Sequence, residues 1–160
     1  MGAEKKDHAP RDTLLSRIST EMVRTQKQYF GKGPTQAKSY FFDDMLLVVM
    51  KGGVTTAEHT MLDFGQEDKV RDFRQVFENE MTARLSNLIE DLTGRKVVTY
   101  QSQIMFAPDR VIAIFVFDDV APPELRAATA EEQLRQGATA EAGAEDIGRD
   151  EPSSGGQGTP

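Results

Sequence analysis

The chain has no cysteine, no tryptophan and only 2 histidines in 160 residues. Without cysteine there is no disulfide framework, no thiolate nucleophile and no cysteine-held zinc. Basic residues are the minority charge, with 19 Lys and Arg against 26 Asp and Glu, a net charge of −7. That balance excludes the basic coat of a nucleic-acid-binding protein, so no nucleic-acid partner is expected. Long apolar runs are missing too. The longest, Val111–Phe117 and Met45–Met50, fall far short of the ~20 residues that cross a bilayer. The start of the chain offers no apolar signal region, and its Met-Gly lacks the serine or threonine of a myristoylation site. A soluble cytoplasmic protein is expected.

The charge is unevenly spread. Residues 121–160 hold three basic residues against eight acidic ones, and no aromatic residue follows Val120. This stretch is rich in Ala, Glu, Gly and Pro and has too little apolar surface to offset ordering costs of ~1–2 kcal/mol per residue. The expected organisation is a loose N-terminus over 1–11, one domain over 12–120 and a largely disordered acidic tail over 121–160. A short helix around Glu124–Arg135 is possible there, because Ala, Glu, Leu and Gln favour helix.

Within 12–120 the apolar spacing is regular. Leu14, Leu15, Ile18, Met22, Val23, Tyr29 and Phe30 form one helical stripe, with Asp12 or Thr13 as its cap and Gly31-Lys32-Gly33-Pro34 as its stop. Two short aromatic and aliphatic runs around Asp43-Asp44 predict a β-hairpin. Thr55 three residues before Glu58 is a capping-box spacing and opens a short helix that Gly65 ends. Val70, Phe73, Phe77, Met81, Leu85, Leu88 and Leu92 then mark a long helix closed by Gly94. A second hairpin turns at Ala107-Pro108-Asp109-Arg110, with the proline at its second position. The order α-ββ-αα-ββ predicts an α+β two-layer sandwich, a mostly antiparallel four-stranded sheet with helices on one face. Val111–Phe117 is apolar on both alternating sides and should be a central strand buried on both. Helices cover one sheet face, so a homodimer or higher homo-oligomer is expected to use the other face or the long helix.

Candidate chemistry is sparse. Gly31-Lys32-Gly33-Pro34-Thr35 can present N–H groups and a cation to an anion, but it lacks P-loop spacing and follows a helix. Its plainer role is a helix stop and turn. Arg17 and Arg24 lie two turns apart on one helical face, and with Lys32, Gly33, Thr35 and Lys38 they form the candidate ligand-binding set. The plainer reading of that face is a solvated surface. His59 with Asp63 is too small a set for zinc, so no metal site is expected. Asp43-Asp44 and Asp118-Asp119 stand at strand ends, where neighbouring side chains point apart. No nucleophile elbow or catalytic pairing is present, so no catalytic residue and no cofactor is expected.

The stretches Tyr29-Phe30-Gly31-Lys32-Gly33-Pro34-Thr35, Gly52-Gly53 with Thr55 and Glu58, and Leu92-Thr93-Gly94-Arg95-Lys96 resemble the MpsC-like family. The resemblance covers about residues 12–120. It implies association with a Na+-translocating, membrane-potential-generating system whose other subunits are membrane proteins related to proton-pumping and inorganic-carbon-uptake machinery. The expected function is a non-enzymatic accessory or regulatory protein, peripheral at the inner face of the membrane. The alternative is an oligomeric sensor that binds a small anionic or phosphate-bearing ligand at the basic helix and the 31–35 loop.

Overall fold

Thr13 opens the first helix: its hydroxyl accepts from the Ser16 amide at 3.1 Å, the side-chain cap that an extended residue at this position supplies. This is the first residue of the 13–129 range that the computed structural model describes. The expected loose N-terminus and most of the expected tail lie outside the described residues. Helix α1 (Leu14–Phe30) is followed by strands β1 (Gln36–Phe42) and β2 (Met45–Lys51), helices α2 (Thr56–Asp63) and α3 (Glu67–Thr93), and strands β3 (Val97–Phe106) and β4 (Asp109–Phe117). A short helix, α4, runs over 123–129. The architecture is α+β.

The four strands are all antiparallel, in the order β1-β2-β4-β3. Asp43 takes a left-handed φ of 44° in the tight turn between β1 and β2, a conformation that aspartate tolerates better than most residues. The β3–β4 turn departs from expectation. Phe106 pairs with Asp109, so only Ala107 and Pro108 make the connection, and the proline occupies the third turn position, after a cis peptide bond.

Helices α1 and α3 lie on one face of the sheet, and α2 packs on α3. The core between the layers joins Ile18 and Met22 of α1 and Met81, Leu85 and Ile89 of α3 to Phe41, Leu46, Val48, Ala113 and Phe115. Truncating a fully buried residue of this set, such as Leu85, to alanine costs roughly 2–5 kcal/mol. Strand β4 is an inner strand, but it is not covered twice. Val111, Ala113, Phe115 and Phe117 are buried beneath the helices, whereas Ile112, Ile114 and Val116 on the other face remain half-exposed. No element of the described chain packs over that second face.

Packing does not stop at 120. The Ala121 amide bonds the Asp43 carbonyl, Leu125 rests on the core, and Thr129 is buried. The Thr129 hydroxyl accepts from the Phe41 amide at 3.0 Å, satisfying a β1 group that has no strand partner on that side. Thr129→Val should therefore destabilise the domain by about 1–3 kcal/mol through the orphaned amide. Urea unfolding followed by circular dichroism measures it, and a chain ending at 120 should unfold at lower urea than one ending at 129.

Candidate functional site

The expected ligand-binding residues are largely engaged by their own chain. Loops 31–35 and 51–55 pack against each other. Thr35 donates its amide and its hydroxyl to the Lys51 carbonyl at 2.8 and 3.2 Å, and Lys32 Nζ donates to the Val54 carbonyl at 3.1 Å. Gly52 has a φ of +77°, and a Cβ there would sit 2.6 Å from Thr35 Oγ1. The two loops can approach this closely only with glycine at that position. Gly33 presses on α1, where a Cβ would lie 3.0 Å from Lys27 Cβ. Arg24 pairs with Glu21 at 2.6 Å on the solvent side of α1, and Arg17 is exposed one stretch earlier. Lys38 borders a groove between α1, β1 and α4, and none of the other five residues lines it. The structure brings Lys32, Gly33 and Thr35 together as a loop junction and leaves Arg17, Arg24 and Lys38 apart from it.

Beneath that junction lies a polar node. Glu58, the capping-box residue of α2, accepts from the Thr55 amide at 2.8 Å. Arg74 of α3 meets it bidentately, Nε to Oε1 at 2.6 Å and Nη2 to Oε2 at 2.7 Å. The two side chains are only 4% and 5% exposed. Arg74 Nη2 also donates to the Gly53 carbonyl at 2.9 Å, and the guanidinium lies 4.2 Å from the Phe30 ring centroid. The capping-box spacing was visible in the sequence, but the partner was not, because the apolar stripe of α3 runs through Phe73. In the structure Arg74 turns inward beside Val70 and Met81, while Phe73 is 51% exposed. An inward arginine is tolerated because Glu58 meets it with two charge-assisted bonds.

Other charged groups are also used structurally. Arg95 bonds the Asp119 carboxylate at 3.0 Å and its carbonyl at 2.7 Å, with Phe117 4.0 Å beneath the guanidinium. Tyr100 donates to Glu78 at 2.6 Å; burial first, then the neighbouring carboxylate, pushes its phenol far above the usual range. His59 is exposed. Glu78 lines a small hollow with Arg71, Arg74 and Ser102, to which Arg95, Asp119 and His59 do not contribute.

What the molecule does present is apolar surface. On the uncovered sheet face, the β2–β4 rungs Met45–Val116, Leu47–Ile114 and Val49–Ile112 stack in register, flanked on β1 by Phe42, Tyr40 and Lys38. The β3 margin is polar, with Thr99, Gln101 and Gln103. Among the helices, Phe64, Phe73 and Val76 are 76%, 51% and 61% exposed. Phe73 leads inward through Phe77 to Phe30, each pair of ring centroids 4.9 Å apart.

The buried node carries a prediction. Burial alone would raise the Glu58 carboxyl, but the bonds from Arg74 and Thr55 outweigh it and hold the group below its ordinary value. A depressed carboxylate contributes stability above its unfolded value and loses it as pH falls through the folded one. Urea unfolding from pH 7 to 3 should show stability falling in the acid range, with a shallower fall in Glu58→Gln. Arg74→Met and Glu58→Met should each cost about 3–5 kcal/mol at pH 7, while the two together should cost less than their sum.

Comparison with known proteins fits this arrangement. Over 106 residues the chain is 24% identical to the uncharacterized protein YbcI of Bacillus subtilis (strain 168), covering 64% of this chain and 84% of that one. No solved structure matches. Residues 11–119 match the family described as "Na+-translocating membrane potential-generating system (MpsC)". That match spans α1, α2, α3 and the whole sheet up to the end of β4, and the chain belongs to the MpsC family.

Proposed function

We propose that this protein is a non-enzymatic accessory or regulatory component of a Na+-translocating, membrane-potential-generating system, acting by binding other proteins. The observation that carries this reading is the contrast between its two kinds of surface. Its buried ionic groups, Glu58, Arg74 and Arg95, are bonded to its own carbonyls and charged side chains, whereas Phe64, Phe73, Val76 and the second sheet face are left open. Exposed apolar patches of this kind on a small domain mark interaction sites. Membership of the family supplies the system. No helix among the described residues is long and apolar enough to cross a membrane. Ion conduction would therefore belong to membrane subunits, with this protein seated peripherally at their cytoplasmic side.

The small-anion reading draws less support. Lys32 and Thr35, its central residues, already bond the carbonyls of Val54 and Lys51.

A pull-down from detergent-solubilised membranes of the native host tests the proposal. The full chain should recover polytopic membrane proteins, and Phe73→Glu with Val76→Glu should reduce that recovery at least tenfold while the circular dichroism spectrum stays unchanged. Recovery of no membrane protein by the wild type overturns it. A melting-temperature rise with inorganic phosphate that Lys32→Ala abolishes would instead revive the anion sensor.

A further inference from the structure

The uncovered sheet face carries more information than its apolarity. Its rungs run from one charged end to the other. At one end Lys51 of β2 pairs across the ladder with Arg110 of β4, and both alternate with the half-exposed residues of this face. At the other end the Met45–Val116 rung is flanked by the Asp43-Asp44 turn and by Asp118, which follows β4 in phase with Val116. Asp119 is held by Arg95, and Asp43 lies 3.6 Å from Arg126. Lys96 is the other cation at this end. Asp118 and the Asp43-Asp44 turn beside it make this end acidic, opposite to Lys51 and Arg110.

Size also matters. Seven residues at ~3.3 Å along four strands ~4.8 Å apart give a face of roughly 450 Å² in projection, and more once side-chain relief is included. Two such faces together approach the lower end of stable interfaces, which begin near ~1,200 Å². The centre, Leu47, Val49, Ile112 and Ile114, is apolar, as the core of an obligate interface requires, and Lys38 of β1 flanks Val49 at its margin, toward the Lys51 end.

A closed pair of identical chains must bury the same patch on both copies about a two-fold axis. Two sheets meeting face to face allow two choices for that axis. With the axis along the strands, Lys51 and Arg110 would lie over their own copies. With the axis across the strands, they lie over the acidic end. We propose that a second copy of this chain covers the sheet face about the axis across the strands, with Lys51 and Arg110 of each copy over Asp118 and the Asp43-Asp44 turn of the other. The result is a four-layer assembly, helices outside and two sheets ~10 Å apart at its centre. Each copy keeps Phe73 and Val76 on its outer helix layer, so the pairing goes beyond the proposed function and stands whether or not that reading holds.

Sedimentation equilibrium of the full chain, with folding checked by circular dichroism, tests the pairing. The wild type should have twice the 17.8 kDa chain mass at micromolar concentration. Ile114→Arg should be monomeric. Because that variant could unfold, the decisive set is made at the exposed ends. Lys51→Glu with Arg110→Glu should raise the dissociation constant at least tenfold by placing acid over acid. Adding Asp44→Lys and Asp118→Lys to the same chain reverses the polarity and should restore pairing to within about threefold of the wild type. A wild-type monomer at 100 µM overturns the proposal. So does a dimer indifferent to Ile114→Arg, or one that the charge reversal leaves unweakened.

Discussion

The fold closes on the pair of Glu58 and Arg74. Two groups that are each costly to remove from water sit side by side with almost no solvent access. They join four separate pieces of chain. Glu58 caps α2, Arg74 projects from α3, the guanidinium takes the Gly53 carbonyl from the loop after β2, and its flat face covers Phe30 at the end of α1. Such a pair contributes little net stability compared with a well-packed apolar substitute. Its geometric demands, two parallel bonds and a third to a fixed carbonyl, leave the four pieces one mutual arrangement.

That arrangement accounts for where the basic residues near the first helix lie: Lys32 sits at the loop junction, while Arg24 and Lys38 stand apart from it. The Gly-rich turn after α1 looks like an anion cradle when its residues are read alone. Once α1 is pinned through Phe30 and the β2 exit through Gly53, the two glycine-containing loops lie in contact, and Lys32 and Thr35 bond the nearest carbonyls. One of the three Lys32 donors is used in holding loop to loop.

Much of this was legible in the sequence because local rules carried it. The caps at Thr13 and Thr55, the glycine stop at Gly94 and both hairpins follow from spacing within a few residues, and the antiparallel α+β order follows from them. What was illegible depended on distant partners. An arginine in phase with Val70 and Met81 reads as a polar interruption until Glu58, sixteen positions earlier, is seen opposite it. Phe73 falls into the apolar stripe for the same reason. The alternation of Val111–Phe117 shows apolar residues on both faces, but whether the second face is covered within the chain depends on where every other element goes. The start of the expected tail was misleading because a single threonine hydroxyl, 88 positions from its partner, draws it onto β1.

Val54 shows what the long-range stitching entails. Its carbonyl is taken by Lys32, 22 positions earlier, and its amide by the Asp109 carboxylate, 55 positions later, at 3.1 Å. Neither bond belongs to a helix or a ladder, and each closes a long loop whose entropy must be paid before the contact forms. The Val54 amide is sheltered only when the first helix, the loop after β2 and the last hairpin are all in place. In the native state its hydrogen exchanges through openings that part the loop after β2 from the last hairpin, so a single amide reports on how firmly those two segments are joined.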